Sequence, residues 1–125
     1  MSQSLRYDIF IMQITPKVLE SVYIMLCNIK PFSGWKLPCP EEINFSVTTD
    51  EDALGTYLFN DETEMHEITI SKAKCGHLDT LIKTLAHEII HMTRGKTSKY
   101  AAHDSYFRYK ATVIALELGF DPLEL

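Results

Sequence analysis

His87-Glu88-Ile89-Ile90-His91 sets two imidazoles four residues apart, with a carboxylate beside the first. On an α-helix a step of four returns to the same face one turn later, so both rings reach toward one point. Imidazole nitrogens bind a divalent transition metal at about 2.0–2.1 Å. Glu88 projects in a neighbouring direction, where it sits beside a metal-bound water without competing as a ligand. The chemistry this pattern serves is hydrolysis by a metal-activated water, with Glu88 as general base.

Such a centre needs a third protein ligand and an open fourth position. A histidine six residues after His91 would fall at Thr97, which is not a ligand of this type. His103 follows twelve residues after His91, at the expected start of the next helix. A short loop folds that start back over the middle of the motif helix, which makes His103 the preferred candidate. Glu117, near the far end of the same helix, is the other one. Tyr100 and Tyr106 lie close to His103 in sequence and are candidates to stabilise an oxyanion, with core packing as the competing role for both. His66 and His77 stand apart from this spacing and read as surface or capping residues. Arg94, Lys96 and Lys99 form a small basic group that reads as a solvated loop.

The elements that position these residues follow from periodicity. Leu78, Leu81, Ile82, Leu85, Ile89 and Met92 form one apolar stripe on one helix. His87 and His91 fall nearly opposite that stripe, with Thr80 and Thr84 beside them, as on a helix that lines a cleft. Ile90 lies between the two faces and limits water access. Gly95 is placed to end the helix. Phe107, Ala111, Ile114, Ala115 and Leu118 give a further helical stripe, closed by Gly119 and Pro122. Upstream, Thr15-Pro16 reads as an N-cap and first turn, and apolar spacing predicts a helix over residues 16–30. Alternation predicts strands over residues 43–49, 54–60 and 67–71. Short connections between them favour an antiparallel meander. The last of these, Glu67, Ile68, Thr69, Ile70 and Ser71, runs into the loop before the motif helix and is expected to offer a free edge to a peptide. The fold class is α+β, with helices packed on a small sheet.

Bulk properties narrow the partners. The chain has 125 residues, 46 % hydrophobic and 23 % charged, which suits one globular domain over residues 1–125. No apolar run approaches the ~20 residues of a membrane span, and no secretory signal is expected. The formal charge of −5 gives no global basic footprint for nucleic acid. Cys27, Cys39 and Cys75 are widely spaced, without a Cys-x-x-Cys pair, and read as small buried hydrophobes in a reducing, cytoplasmic compartment.

His87-Glu88-Ile89-Ile90-His91, then His103 followed by Phe107 and an apolar helix, resembles the SprT-like (Spartan-type) zinc metallopeptidase domain. The preceding helix-and-three-strand segment is similar as well. The resemblance implies a zincin-like fold: an N-terminal helix, a three-stranded antiparallel sheet, the active-site helix and a C-terminal helix. It also implies His87, His91 and His103 as ligands of one Zn2+ per chain, Glu88 as general base, and a protein or peptide substrate. Asp104 stands where that family often has glycine, and Phe107 holds its aromatic position. The sequence holds no four-cysteine ribbon of the kind many members carry. A compact member fits a phage or bacterial source and, for a phage, the host cytoplasm. The alternative is a non-catalytic module in which zinc only locks the two helices together, including a DNA-associated one, which the net charge does not support.

Overall fold

The structure, a computed structural model, describes residues 13–94 and 102–125. Helix α1 spans Pro16–Cys27. Thr15 caps it by accepting from the Val18 amide at 3.1 Å, and Pro16 sits in the first turn, where its missing N–H costs nothing. Leu19, Val22, Tyr23 and Leu26 bury one face. The helix ends before the expected residue 30, because the Asn28 amide closes a tighter turn on Met25 O while its side chain donates to Ile24 O at 2.8 Å.

Three strands follow, β1 (Ile43–Thr48), β2 (Gly55–Asn60) and β3 (Met65–Ser71). The sheet is mixed, in the order β1-β3-β2, and not the antiparallel meander that short connections suggest. β2 and β3 form an antiparallel hairpin, whereas β1 runs parallel to β3, pairing Ile43 with His66 and Val47 with Ile70. The cause lies in residues 49–54. They cross the end of β3, where Ser71 holds them: its hydroxyl donates to Asp50 O at 2.6 Å and its amide to Leu54 O at 2.9 Å. The chain is thereby carried past the middle position to the far edge, and β3 fills the centre with Ile68 and Ile70 fully buried. Both edges of β3 are therefore paired. The free edge expected along Glu67–Ser71 does not exist, and among the described residues the edge strands are β1 and β2.

Helix α2 (Leu78–Arg94) and helix α3 (Ser105–Leu118) complete the α+β fold. Leu81, Leu85, Ile89 and Met92 of α2 are buried, as the stripe predicts, but so are Thr84, Ala86, Glu88 and Ile90. The helix is covered on both faces, by the sheet and by α3. Asp104 caps α3 by accepting from the Phe107 amide at 3.1 Å, and Gly119 ends it with a left-handed φ of 81°. A 3-10 turn, Pro122–Glu124, then returns the chain to α2, and Leu125 is buried in the core. Among the described residues, no helix is long and apolar enough to cross a membrane. Cys75 is buried, Cys27 is half-buried and Cys39 is exposed, so the buried reading fails for Cys39.

Gly55 sets how closely β2 approaches α2. A Cβ there would lie 3.0 Å from both Ile70 Cδ1 and Thr84 Cγ2 and 3.1 Å from Thr69 O. At Gly34 nothing lies within 4 Å. Gly55→Ala is expected to destabilise the fold by about 1–2 kcal/mol through overpacking, while Gly34→Ala stays within about 0.5 kcal/mol. Urea unfolding of the two variants checks this.

Candidate metal centre

One turn of α2 delivers His87 and His91, and the chain just before α3 delivers His103. The three rings turn the same nitrogen inward. His91 Nε2 and His103 Nε2 each lie 3.2 Å from His87 Nε2. All three ligand atoms fall within 4.8 Å of one another. Imidazole nitrogens at 2.0–2.1 Å around a tetrahedral ion sit about 3.3 Å apart, so the spacing fits. Hydrogen bonding alone does not account for it. His87 Nδ1 lies 2.5 Å from the backbone oxygen of Leu125, which only accepts, so Nδ1 carries the proton and Nε2 is a bare lone pair. Two other nitrogens sharing that one lone pair are poorly satisfied; a cation satisfies all three.

Phe107 backs the cluster. Its ring centre lies 4.7 Å from those of His87 and His103 and 5.0 Å from that of His91. This apolar wall is the contribution of the first buried residue of α3. Burial pushes the His87 pKa down from the usual imidazole value. Burial, followed by repulsion from His87 and His103, takes His91 down to about 4. Neutral rings are the ligating form. The Leu125 oxygen fixes the His87 tautomer from outside the cluster, in the way outer partners orient metal ligands.

Glu88 is only 4 % exposed. In the metal-free protein burial lifts its carboxyl to about 7. It lines, with His87, a cavity of about 320 Å³ bounded by Leu54 and Gly55 at the start of β2 and by Glu124. The cluster thus has a protein side, closed by Phe107, and a cavity side, where the carboxyl stands.

The other candidates fall elsewhere. Glu117 is exposed on α3 and outside the histidine cluster. The Tyr106 hydroxyl donates to Thr93 Oγ1 at 2.9 Å, which fastens α3 to the end of α2. Tyr100, Gly95, Lys96 and Lys99 lie outside the described residues. His77 is exposed and accepts the Leu81 amide through its carbonyl, a capping contact as expected. His66 is not a surface residue: it sits half-buried in β3, with Nδ1 2.8 Å from the Tyr57 hydroxyl. Arg94 is not a solvated charge either, because its guanidinium pairs with Asp104 and stacks over the Tyr106 ring at 4.1 Å.

That pair is the part of the site that sequence reasoning missed. Asp104 follows His103 directly, caps α3 and grips the last residue of α2. The departure from glycine at this position supplies a clasp across the helix junction. An aspartate three residues before the first buried residue of the Phe107 stripe is an N-cap signal. Nothing in the sequence pairs it with Arg94.

Asp104→Asn keeps a capping side chain and removes the charge. Because the clasp holds the start of α3, and His103 with it, the substitution is expected to weaken metal affinity about tenfold, at the low end of the loss seen when support around a site is removed, with the helical circular dichroism unchanged; competition with a chromophoric chelator measures it. The Glu88 carboxyl gives a second expectation, for metal-free protein. Between its unfolded value of 4.5 and its folded value of about 7, the folded state holds a proton that the unfolded chain has released. Stability from this group is therefore present below pH 4.5 and lost as pH rises through 7. His91 has the opposite sign, its contribution lost as pH falls from 6.5 toward 4. Glu88→Gln should stabilise the metal-free protein at pH 8 by on the order of 3 kcal/mol and barely at pH 5, by thermal unfolding at both values.

No family model, no curated protein and no solved structure matches the chain, so the reading of this centre rests on its geometry.

Proposed function

We propose that this chain is a zinc-dependent metallopeptidase with a zincin-like, SprT-like arrangement. His87, His91 and His103 hold the ion and Glu88 serves as general base. The observation that carries the reading is the convergence of three imidazole nitrogens, two of them 3.2 Å from His87 Nε2 and all within 4.8 Å, beside a buried carboxyl that lines a cavity. Three imidazoles suit zinc by ligand type. When bound there, zinc supplies a Lewis acid that polarises a carbonyl and brings the pKa of water down to about 7.

The chain's own groups supply the rest. Phe107 shields the rear of the cluster, and the Leu125 oxygen holds the His87 ring in its ligating tautomer. Glu88, buried beside the cavity, takes a proton from water and returns it to the leaving amine. Among the described residues β2 is an edge strand, and its first residue, Gly55, lines the cavity. A polypeptide substrate adds to that edge through main-chain hydrogen bonds, in the role expected of the third strand. A purely structural zinc site has no use for a buried carboxyl facing a cavity, which favours catalysis over a locking role.

Zinc-loaded protein is expected to cleave unfolded casein, to lose that activity on chelation and to recover it with added zinc. Glu88→Gln should retain one zinc per chain and lose at least about a thousandfold in rate, consistent with general-base loss compounded by a buried site. Wild-type protein that holds one zinc per chain and cleaves neither casein nor a broad peptide library would overturn the peptidase reading.

A further inference from the structure

Lys83 lies one helical turn before His87, on the same face of α2. Its ammonium pairs with Glu124, and the next residue, Leu125, places its backbone oxygen 2.5 Å from His87 Nδ1. Two consecutive residues at the end of the Pro122–Glu124 turn thus meet two side chains stacked one above the other on the motif helix. We infer that Lys83 is a positioning residue for the metal centre: by holding Glu124 it keeps the Leu125 oxygen on His87, and with it the tautomer that ligates. The inference rests on the metal-binding half of the reading above and not on what the site cleaves.

Three observations carry it. The turn is braced from within. Pro122 sits in its first turn, Asp121 accepts from the Leu123 amide at 3.0 Å, and the Glu124 amide donates to Asp121 O at 2.9 Å. Glu124 and Leu125 therefore move as one piece, and a hold on the first places the second. Next, the Leu125 side chain is buried. One buried anchor fixes where the turn sits but lets it pivot, and a second attachment through Glu124 removes that freedom. Finally, the turn is acidic and Lys83 is the cation set against it. The hydrogen bond to Glu124, with Asp79 and Asp121 adding to it, raises the Lys83 pKa above the usual lysine value, so the ammonium stays charged. The same ammonium lies 5.2 Å from the centre of the Phe120 ring, at the approach to the turn.

The size of the effect follows from what is being controlled. Glu124 is half-exposed, and an ion pair in such a place adds little to global stability. A tautomer balance needs little. The hydrogen bond made by one ring nitrogen decides which nitrogen of a neutral imidazole carries the proton. Metal affinity then falls in proportion to the fraction of rings that remain in the ligating form.

Lys83→Met, Lys83→Arg and Glu124→Gln test this with two readouts. In metal-free protein at about pH 8, above the ordinary imidazole pKa, long-range proton–nitrogen NMR correlation reports which His87 nitrogen carries the proton. Wild type and Lys83→Arg are expected to hold it on Nδ1, whereas in Lys83→Met and Glu124→Gln it divides between Nδ1 and Nε2. Chelator competition is expected to show zinc held about threefold to fivefold more weakly by those two variants, with unchanged helical circular dichroism. The double variant should be no weaker than either alone, because both remove one contact. A proton still held on Nδ1 in Lys83→Met, or losses that add in the double variant, would overturn the assignment. Zinc-loaded wild type that leaves casein intact, with these changes present in the variants, supports the assignment and sinks the peptidase; casein cleavage with the tautomer unchanged in Lys83→Met does the reverse.

Discussion

Three imidazoles brought within one ion's reach are the constraint on which the site depends. Lone pairs at 3.2 Å repel, so the surrounding structure has to hold them together. It does so from three directions. Helical pitch fixes His87 and His91 relative to each other. The Arg94–Asp104 clasp ties the start of α3, and His103 with it, to the end of α2. The Phe107 ring fills the space that the rings would otherwise relax into. The cost of crowding three bases is returned when a cation is shared among them.

Helix α2 can bear this load because it is covered on both sides. A surface helix with one apolar stripe would leave the histidine face in water, where the rings would be protonated more readily and hydrated. Here α3 and the segment after Gly119 cover that face, while β2 and β3 take the other. Burial then acts on neighbouring groups with opposite results: it removes the proton from His91 and keeps one on Glu88, each by disfavouring the charged form. In the metal-free chain one environment thus frees His91 to ligate, while Glu88 is held protonated until a nearby cation favours its anion.

Much of this is legible in the sequence, for local reasons. The helix ends are written in caps: Thr15 before Pro16, and Gly119 after the Phe107 stripe. The i, i+4 histidines and a third one at the next helix start mark the centre, since residue type and spacing are both visible there. Strand order is not legible. It is decided by the bonds from Ser71 to the crossing residues 49–54, and a serine at a strand end carries no sign of that role. The paired edges of β3 follow from the same contact. The Arg94–Asp104 pair and the Leu125 oxygen stay hidden for a different reason: one depends on how a loop closes, and the other is a backbone atom that every residue possesses.

The Leu125 oxygen also makes the ligating form of one ring a property of the whole fold. It lies 38 residues downstream of the His87 ring it orients. The Pro122–Glu124 turn, which follows α3, carries it back to α2. The spacing of the histidines is therefore local, whereas the His87 tautomer is set only where the far end of the fold meets the motif helix.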